Sequence, residues 1–223
     1  MDVVYIYVNK KVDRFLSAFL SRIKKKMGNY MSIYGKNIEL LKEYTLEEEK
    51  RYEELDKIQG TDEHVFEEDG ILFYTDGKNT WQLYSENIEN EIAILTKNIN
   101  SKKENLIFVL GLANTEFLKR LVQEKSGESK IVIYEPNDYI LKYVLEHIDL
   151  SSILVEGRVL LWWDNHIEQY SRDFGYDLVA MNWTKLAYNI EIITCPAYYP
   201  YLSDFRKIFE ASKKKMVQYF MAL

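Results

Sequence analysis

Apolar positions change rhythm twice along this chain. In residues 11–27, Val12, Phe15, Leu16, Phe19, Leu20 and Ile23 recur at helical spacing, with Arg14, Arg22 and Lys24 to Lys26 on or beyond the other face. Gly28 then ends the predicted helix. A second helical region is predicted over 36–59, where Thr45 and Glu48 have the spacing of a capping box. Its stretch 47–57 is charge-rich, and Leu55 and Ile58 offer little core, so an exposed helix is expected. The period shifts to short β-like runs over 65–84: Val65-Phe66, Ile71 to Tyr74 and Trp81 to Tyr84. Asp69-Gly70 and Asp76-Gly77 lie between them as turn signals, and the segment reads as an antiparallel hairpin or meander. A helix over 86–99 follows, with Ile88, Ile92 and Leu95 on one side.

From Leu106 the alternation becomes regular. Nearly all-apolar runs at 106–111, 130–134, 158–163 and 177–182 are separated by helical patterns at 114–124, 137–148 and 165–173. Apolar strands alternating with short helices predict a parallel sheet covered on both faces, with the first strand central. Residues 190–195 are a candidate further strand, and 201–221 form a final amphipathic helix through Leu202, Phe205, Ile208, Phe209 and Met216. The expected fold is therefore α/β and Rossmann-like. A mostly parallel sheet is flanked by helices and preceded by a smaller helical region with a β-hairpin or meander. The boundary is drawn between residues 1–104 and 105–223.

Composition narrows the setting. At 223 residues and 47% hydrophobic, the chain can bury a sizeable core without a disulfide. Cys195 is the one cysteine, which excludes an internal disulfide or a cysteine metal cluster and points to a reducing, cytoplasmic compartment. The net charge of −6 argues against bulk nucleic-acid binding. No apolar run approaches the ~20 residues that span a bilayer, and the acidic start lacks the basic region of a signal peptide.

The candidate chemistry lies at the strand ends. Gly111 closes the first strand of the alternating region and Glu135 the second, at about the interval of a nucleotide-binding βαβ unit. The glycine fingerprint is incomplete, because its later positions hold Ala113 and Glu116. A carboxylate at residue 116 is welcome in a first helical turn but repels a pyrophosphate there, which argues against NAD or FAD. Glu135 has the position of an acid that accepts hydrogen bonds from ribose hydroxyls, and with Gly111 it fits an adenosine pocket of methyltransferase type. S-adenosylmethionine is thus an alternative cofactor. The bland reading is that Gly111 is a strand-to-helix turn and that Glu135-Pro136-Asn137 is a strand exit and helix cap. Asp164 and Asn182 close the third and fourth strands and are expected to face the same crevice, near Trp162, Trp163 and Trp183. Consecutive Trp162 and Trp163 point to opposite faces, so at least one belongs to the core. His64, His147 and His166 show no ligand spacing, and no metal site is expected. The tyrosines at 188, 198, 199 and 201, near Pro196 and Pro200, are a binding wall, an interface or a loop packed on the core.

The run Tyr34-Gly35-Lys36-Asn37-Ile38-Glu39-Leu40-Leu41, the hairpin, Leu83-Tyr84-Ser85 and then residues 106–137 occur in this order. Together they resemble the N-terminal part of the motility-associated factor (Maf) glycosyltransferases, a DUF115-related family. Gly111-x-x-Asn114 and Ile133-Tyr134-Glu135-Pro136 carry most of the likeness, which adds Asn114 to the candidate ligand-binding residues. The resemblance implies transfer of a nonulosonic, sialic-like sugar from a CMP donor to flagellin, with homo-oligomerisation as a further expectation. The family's catalytic domain carries a glycine-proline-serine-leucine turn, but Pro136, Pro196 and Pro200 stand in no such motif. No family catalytic residue carries over. The expected role is a non-catalytic N-terminal domain, with a stand-alone methyltransferase-like transferase or binding domain as the alternative.

Overall fold

The computed structural model describes residues 32–44, 49–58, 63–97, 99, 104–125, 128–155, 158–163, 183, 186 and 189–221. The expected helices over 11–27 and 165–173, the capping box at 45–48 and the strand over 177–182 lie outside them.

Two helices come first, α1 (Ile33–Tyr44) and α2 (Glu49–Asp56). A three-stranded antiparallel meander follows: β1 (Glu63–Glu68), β2 (Ile71–Asp76) and β3 (Thr80–Gln82). Asp69 and Gly70 both adopt positive φ, at 52° and 79°. That is the geometry of a tight two-residue hairpin turn whose twist matches the strands, and it explains the Asp-Gly pair. Inward-facing Leu72 and Tyr74 are buried, while Phe66 and Phe73 stack across the other face with centroids 5.5 Å apart. Helix α3 (Ile88–Thr96) closes this half.

Among the described residues, the second half is built on a four-stranded, all-parallel sheet. Its strands are β4 (Leu106–Leu110), β5 (Lys130–Glu135), β6 (Val159–Trp163) and β7 (Ile190–Thr194), in the order β6-β5-β4-β7. Helices α4 (Thr115–Glu124) and α5 (Asp138–His147) link the first three strands. Strand β4, the first of the alternating region, lies inside the sheet between β5 and β7. Its described neighbour on the far side is the segment expected only as a further strand. Every residue of β4 and β6 is buried, because apolar side chains leave both faces of a covered parallel sheet. Each such side chain contributes about 1.5–3 kcal/mol on burial.

Helix α6 (Leu202–Met221) covers one face. Phe205 meets Phe108 edge to face and stacks on Tyr134, while Phe209 meets Phe108 at 5.4 Å. Both tryptophans of β6 are core: Trp162 packs on Tyr134, and Trp163 meets Tyr52 edge to face at 5.8 Å. That last contact corrects the expectation for α2. The helix buries Tyr52 and Leu55, 5% and 2% exposed, so two residues anchor a helix that is otherwise charged.

Helix α1 and strand β1 both pack on α5. Asn37 of α1 is fully buried, and its amide donates to the carbonyls of Leu145 and Ile148 at 2.8 and 2.7 Å. Its side-chain oxygen accepts from the Leu150 amide at 3.0 Å. One side chain thereby satisfies groups that the end of α5 leaves open. Among the described residues no helix is long and apolar enough to cross a membrane.

Candidate functional site

The chain runs outward from β4 through β5 to β6, then returns to place β7 on the other side of β4. Such a reversal of strand order opens a crevice beyond the carboxyl ends of the strands, the usual ligand position in this architecture. Gly111, Asn114 and Glu135 all lie there, where the chain leaves β4 and β5. Asp164 and Asn182 lie outside the described residues, so only three of the five candidate residues are placed. Trp183, expected near the crevice, is buried, with Lys130 of β5 over its ring at 5.9 Å.

Gly111 has φ of +113°, backbone that residues with a side chain rarely adopt. Its amide donates to the Tyr134 carbonyl at 2.9 Å, which holds the β4 exit against β5. The following loop turns its amides inward. Leu112 N donates to Glu135 Oε2 at 2.9 Å, and Ala113 N donates to the Tyr198 hydroxyl at 3.1 Å.

Glu135 is fully buried. Oε1 accepts from the Asn137 amide at 2.9 Å, and Oε2 accepts from both Leu112 N and the Tyr198 hydroxyl, the latter at 2.7 Å. Burial pushes its carboxyl up to about 8, against the pull of these three donors. Burial and the adjacent carboxylate likewise raise the Tyr198 phenol well above its ordinary value.

Tyr198 comes from a 3₁₀ segment, Pro196–Tyr201, that follows β7 directly. Its ring enters the crevice and is 1% exposed. A Cβ built on Gly111 would stand 2.2 Å from Cε2 of this ring, so the missing side chain at 111 is what admits the phenol. The phenol thus fills the space beyond the β4 and β5 exits, with the Glu135 carboxyl as acceptor and the Ala113 amide as donor. The tyrosines near Pro196 and Pro200 therefore include a core plug; Tyr199 beside it is exposed, and Tyr188 lies outside the described residues.

Asn114 is turned to structural use as well. It caps α4 by accepting from the Phe117 amide at 3.0 Å. Its amide group donates to Glu91 Oε1 of α3 at 2.8 Å, and Glu91 Oε2 accepts from Ser85 N. These contacts tie the meander exit, α3 and the β4 loop together. Asn137 caps α5 in the same way, through Tyr139 N and Ile140 N, and donates to the Tyr201 hydroxyl at 3.1 Å. Glu116 stays at the surface of the first turn of α4, within 4.0 Å of Lys119 and 3.6 Å of Arg120.

Gly111, Asn114 and Glu135 lie at the exits of β4 and β5, and Tyr198, offered by the sequence only as one of a tyrosine cluster, meets Gly111 and Glu135. The signal for it was the tyrosine cluster itself, without any indication of which ring turns inward. An open cavity of about 490 Å³ lies elsewhere, at the turn of the meander, with Glu68, Asp69, Phe73, Tyr84 and Glu86 in its wall. None of the crevice residues lines it. Among the described residues no three His, Cys, Asp or Glu side chains converge as a metal site. Compared with known proteins, the chain matches no family model, no curated protein and no solved structure at significance.

Proposed function

We propose that this chain is the N-terminal, non-catalytic domain of a motility-associated glycosyltransferase, a cytoplasmic protein that moves a nonulosonic sugar from a CMP donor to flagellin. The observation that carries a non-catalytic role is Tyr198. Its phenol fills the space in front of Gly111 and engages Glu135 and the Ala113 amide. An α/β module that fills its own ligand position is organised as a scaffold, and the chemistry belongs to another part of the protein. The specific family rests on the ordered phrases around Tyr34, Leu83 and 106–137, and the missing glycine-proline-serine-leucine turn accords with a domain outside the catalytic one. The alternative, a methyltransferase-like enzyme using S-adenosylmethionine, needs Glu135 free for a ribose, so the scaffold reading is better supported.

Two measurements test this. The chain incubated with flagellin and a CMP-activated nonulosonic sugar gives no adduct by mass spectrometry; an adduct formed at catalytic rates overturns the non-catalytic role. Sequencing the gene beyond Leu223 finds a glycine-proline-serine-leucine turn; a stop codon at once, with no such turn encoded beside it, overturns the family assignment.

A further inference from the structure

The groups around the Tyr198 hydroxyl form a complete recognition site for a ring-bound hydroxyl. Glu135 Oε2 accepts its proton at 2.7 Å, and Ala113 N donates to its oxygen at 3.1 Å. The bare face of Gly111 receives the ring edge. The occupant is held on a six-residue 3₁₀ segment, longer than the three or four residues such helices usually sustain. Besides the Tyr198 bonds, the segment touches the crevice loops through the Tyr201 hydroxyl, which accepts from Asn137. Tyr199, between these two, is 60% exposed. The segment is thus a strap that carries two phenol hydrogen bonds and packs on the core through Ala197, Tyr198 and Tyr201, and it continues without a break into α6.

We propose that the crevice is a latent binding site for a compound carrying a ring-bound hydroxyl, kept closed by Tyr198, and that such a ligand and Tyr198 compete for Glu135 and the Ala113 amide. An aryl alcohol and a ribose share this chemistry, a hydroxyl on a ring edge that needs one acceptor and one donor. Ligand entry displaces the 196–201 strap and thereby pulls on α6, whose Phe205 and Phe209 cover the central strand. The inference goes beyond the proposed function and does not depend on it, since it concerns occupancy of the crevice and not sugar transfer.

The test uses p-cresol, which is the tyrosine side chain as a free molecule, and adenosine as the ribose arm. In Tyr198→Gly, p-cresol is expected to raise the melting temperature and to bind at least tenfold more tightly than to the unaltered chain. Adding Glu135→Met, which removes the acceptor, to that variant should abolish most of the gain. Adenosine binding to Tyr198→Gly assigns the site to sugar hydroxyls as well; binding of p-cresol alone assigns it to aryl alcohols. The proposal is overturned by equal p-cresol affinity for the unaltered chain and the variant, or by a gain indifferent to Glu135→Met. If Tyr198→Gly does not fold, Tyr198→Phe keeps the ring and removes the hydroxyl. Carbon-detected NMR should then find Glu135 titrating higher than in the unaltered chain, and an unchanged titration overturns the role given to the phenol.

Discussion

The ring of Tyr198 lies against Gly111 so closely that any side chain at 111 must collide with it, a Cβ there standing 2.2 to 2.7 Å from three ring carbons. The glycine and the tyrosine are far apart in the chain, and each explains the other. Gly111 is required both by its φ of +113° and by the phenol it admits.

Gly111→Ala is therefore expected to destabilise the chain twice over. Backbone strain at this φ and overpacking against a ring with no free space add up to about 2–5 kcal/mol. Urea denaturation measures it. The double variant Gly111→Ala with Tyr198→Gly should recover the overpacking share, and no recovery means the ring is not the obstacle.

Glu135 gives a pH dependence of defined sign. Its carboxyl is raised from an ordinary 4.5 to about 8 in the folded chain. The folded state then holds a proton that the unfolded state has released. This group's contribution to stability is therefore full below about pH 4.5 and is lost as pH rises towards 8. A tenfold change in proton affinity corresponds to about 1.4 kcal/mol, so the contribution of this buried carboxyl is on the order of a few kcal/mol. Melting temperatures of the unaltered chain and Glu135→Gln, compared from pH 5 to 9, isolate it. The unaltered chain should lose stability relative to the variant as pH rises, and a constant offset between the two counts against the assignment.

Asn114 tests whether the crevice residue acts as a cap or as a cross-link. Aspartate is as good an N-cap as asparagine, but at 114 it sets a carboxylate against Glu91 Oε1, now 2.8 Å from the amide nitrogen. Asn114→Asp should cost about 1–3 kcal/mol. Asn114→Ser keeps the cap without the added charge and should cost less. Equal losses in the two variants, measured by urea denaturation, show that the Glu91 contact carries no weight.

Asn37→Leu leaves the Leu145 and Ile148 carbonyls and the Leu150 amide without their side-chain partner. Losing a buried hydrogen-bonding hub of this kind costs about 2–4 kcal/mol. Hydrogen exchange should localise the opening to the end of α5 and the turn at Leu150–Ser152. Protection unchanged at these amides argues that other groups replace the asparagine.

What the sequence by itself determined is what short range can carry. The runs at 106–110, 131–134 and 159–163 are apolar or aromatic throughout because both faces of their strands are covered, and that signature is complete within each strand. The Asp69-Gly70 turn and the caps at Asn114 and Asn137 are equally local, since each is satisfied within three residues. Only the tertiary structure decided what these elements meet. Whether Glu135 faces a ligand or a phenol depends on Tyr198, 63 residues later. That the charged helix α2 is anchored depends on Trp163 meeting Tyr52. Which strand stands beside β4 depends on where the chain returns to the sheet, and β7 does so with only one of its five residues buried. Periodicity records which side of an element is apolar, and it holds no information about which distant side chain fills the space in front of it. For this protein that space is the candidate site itself.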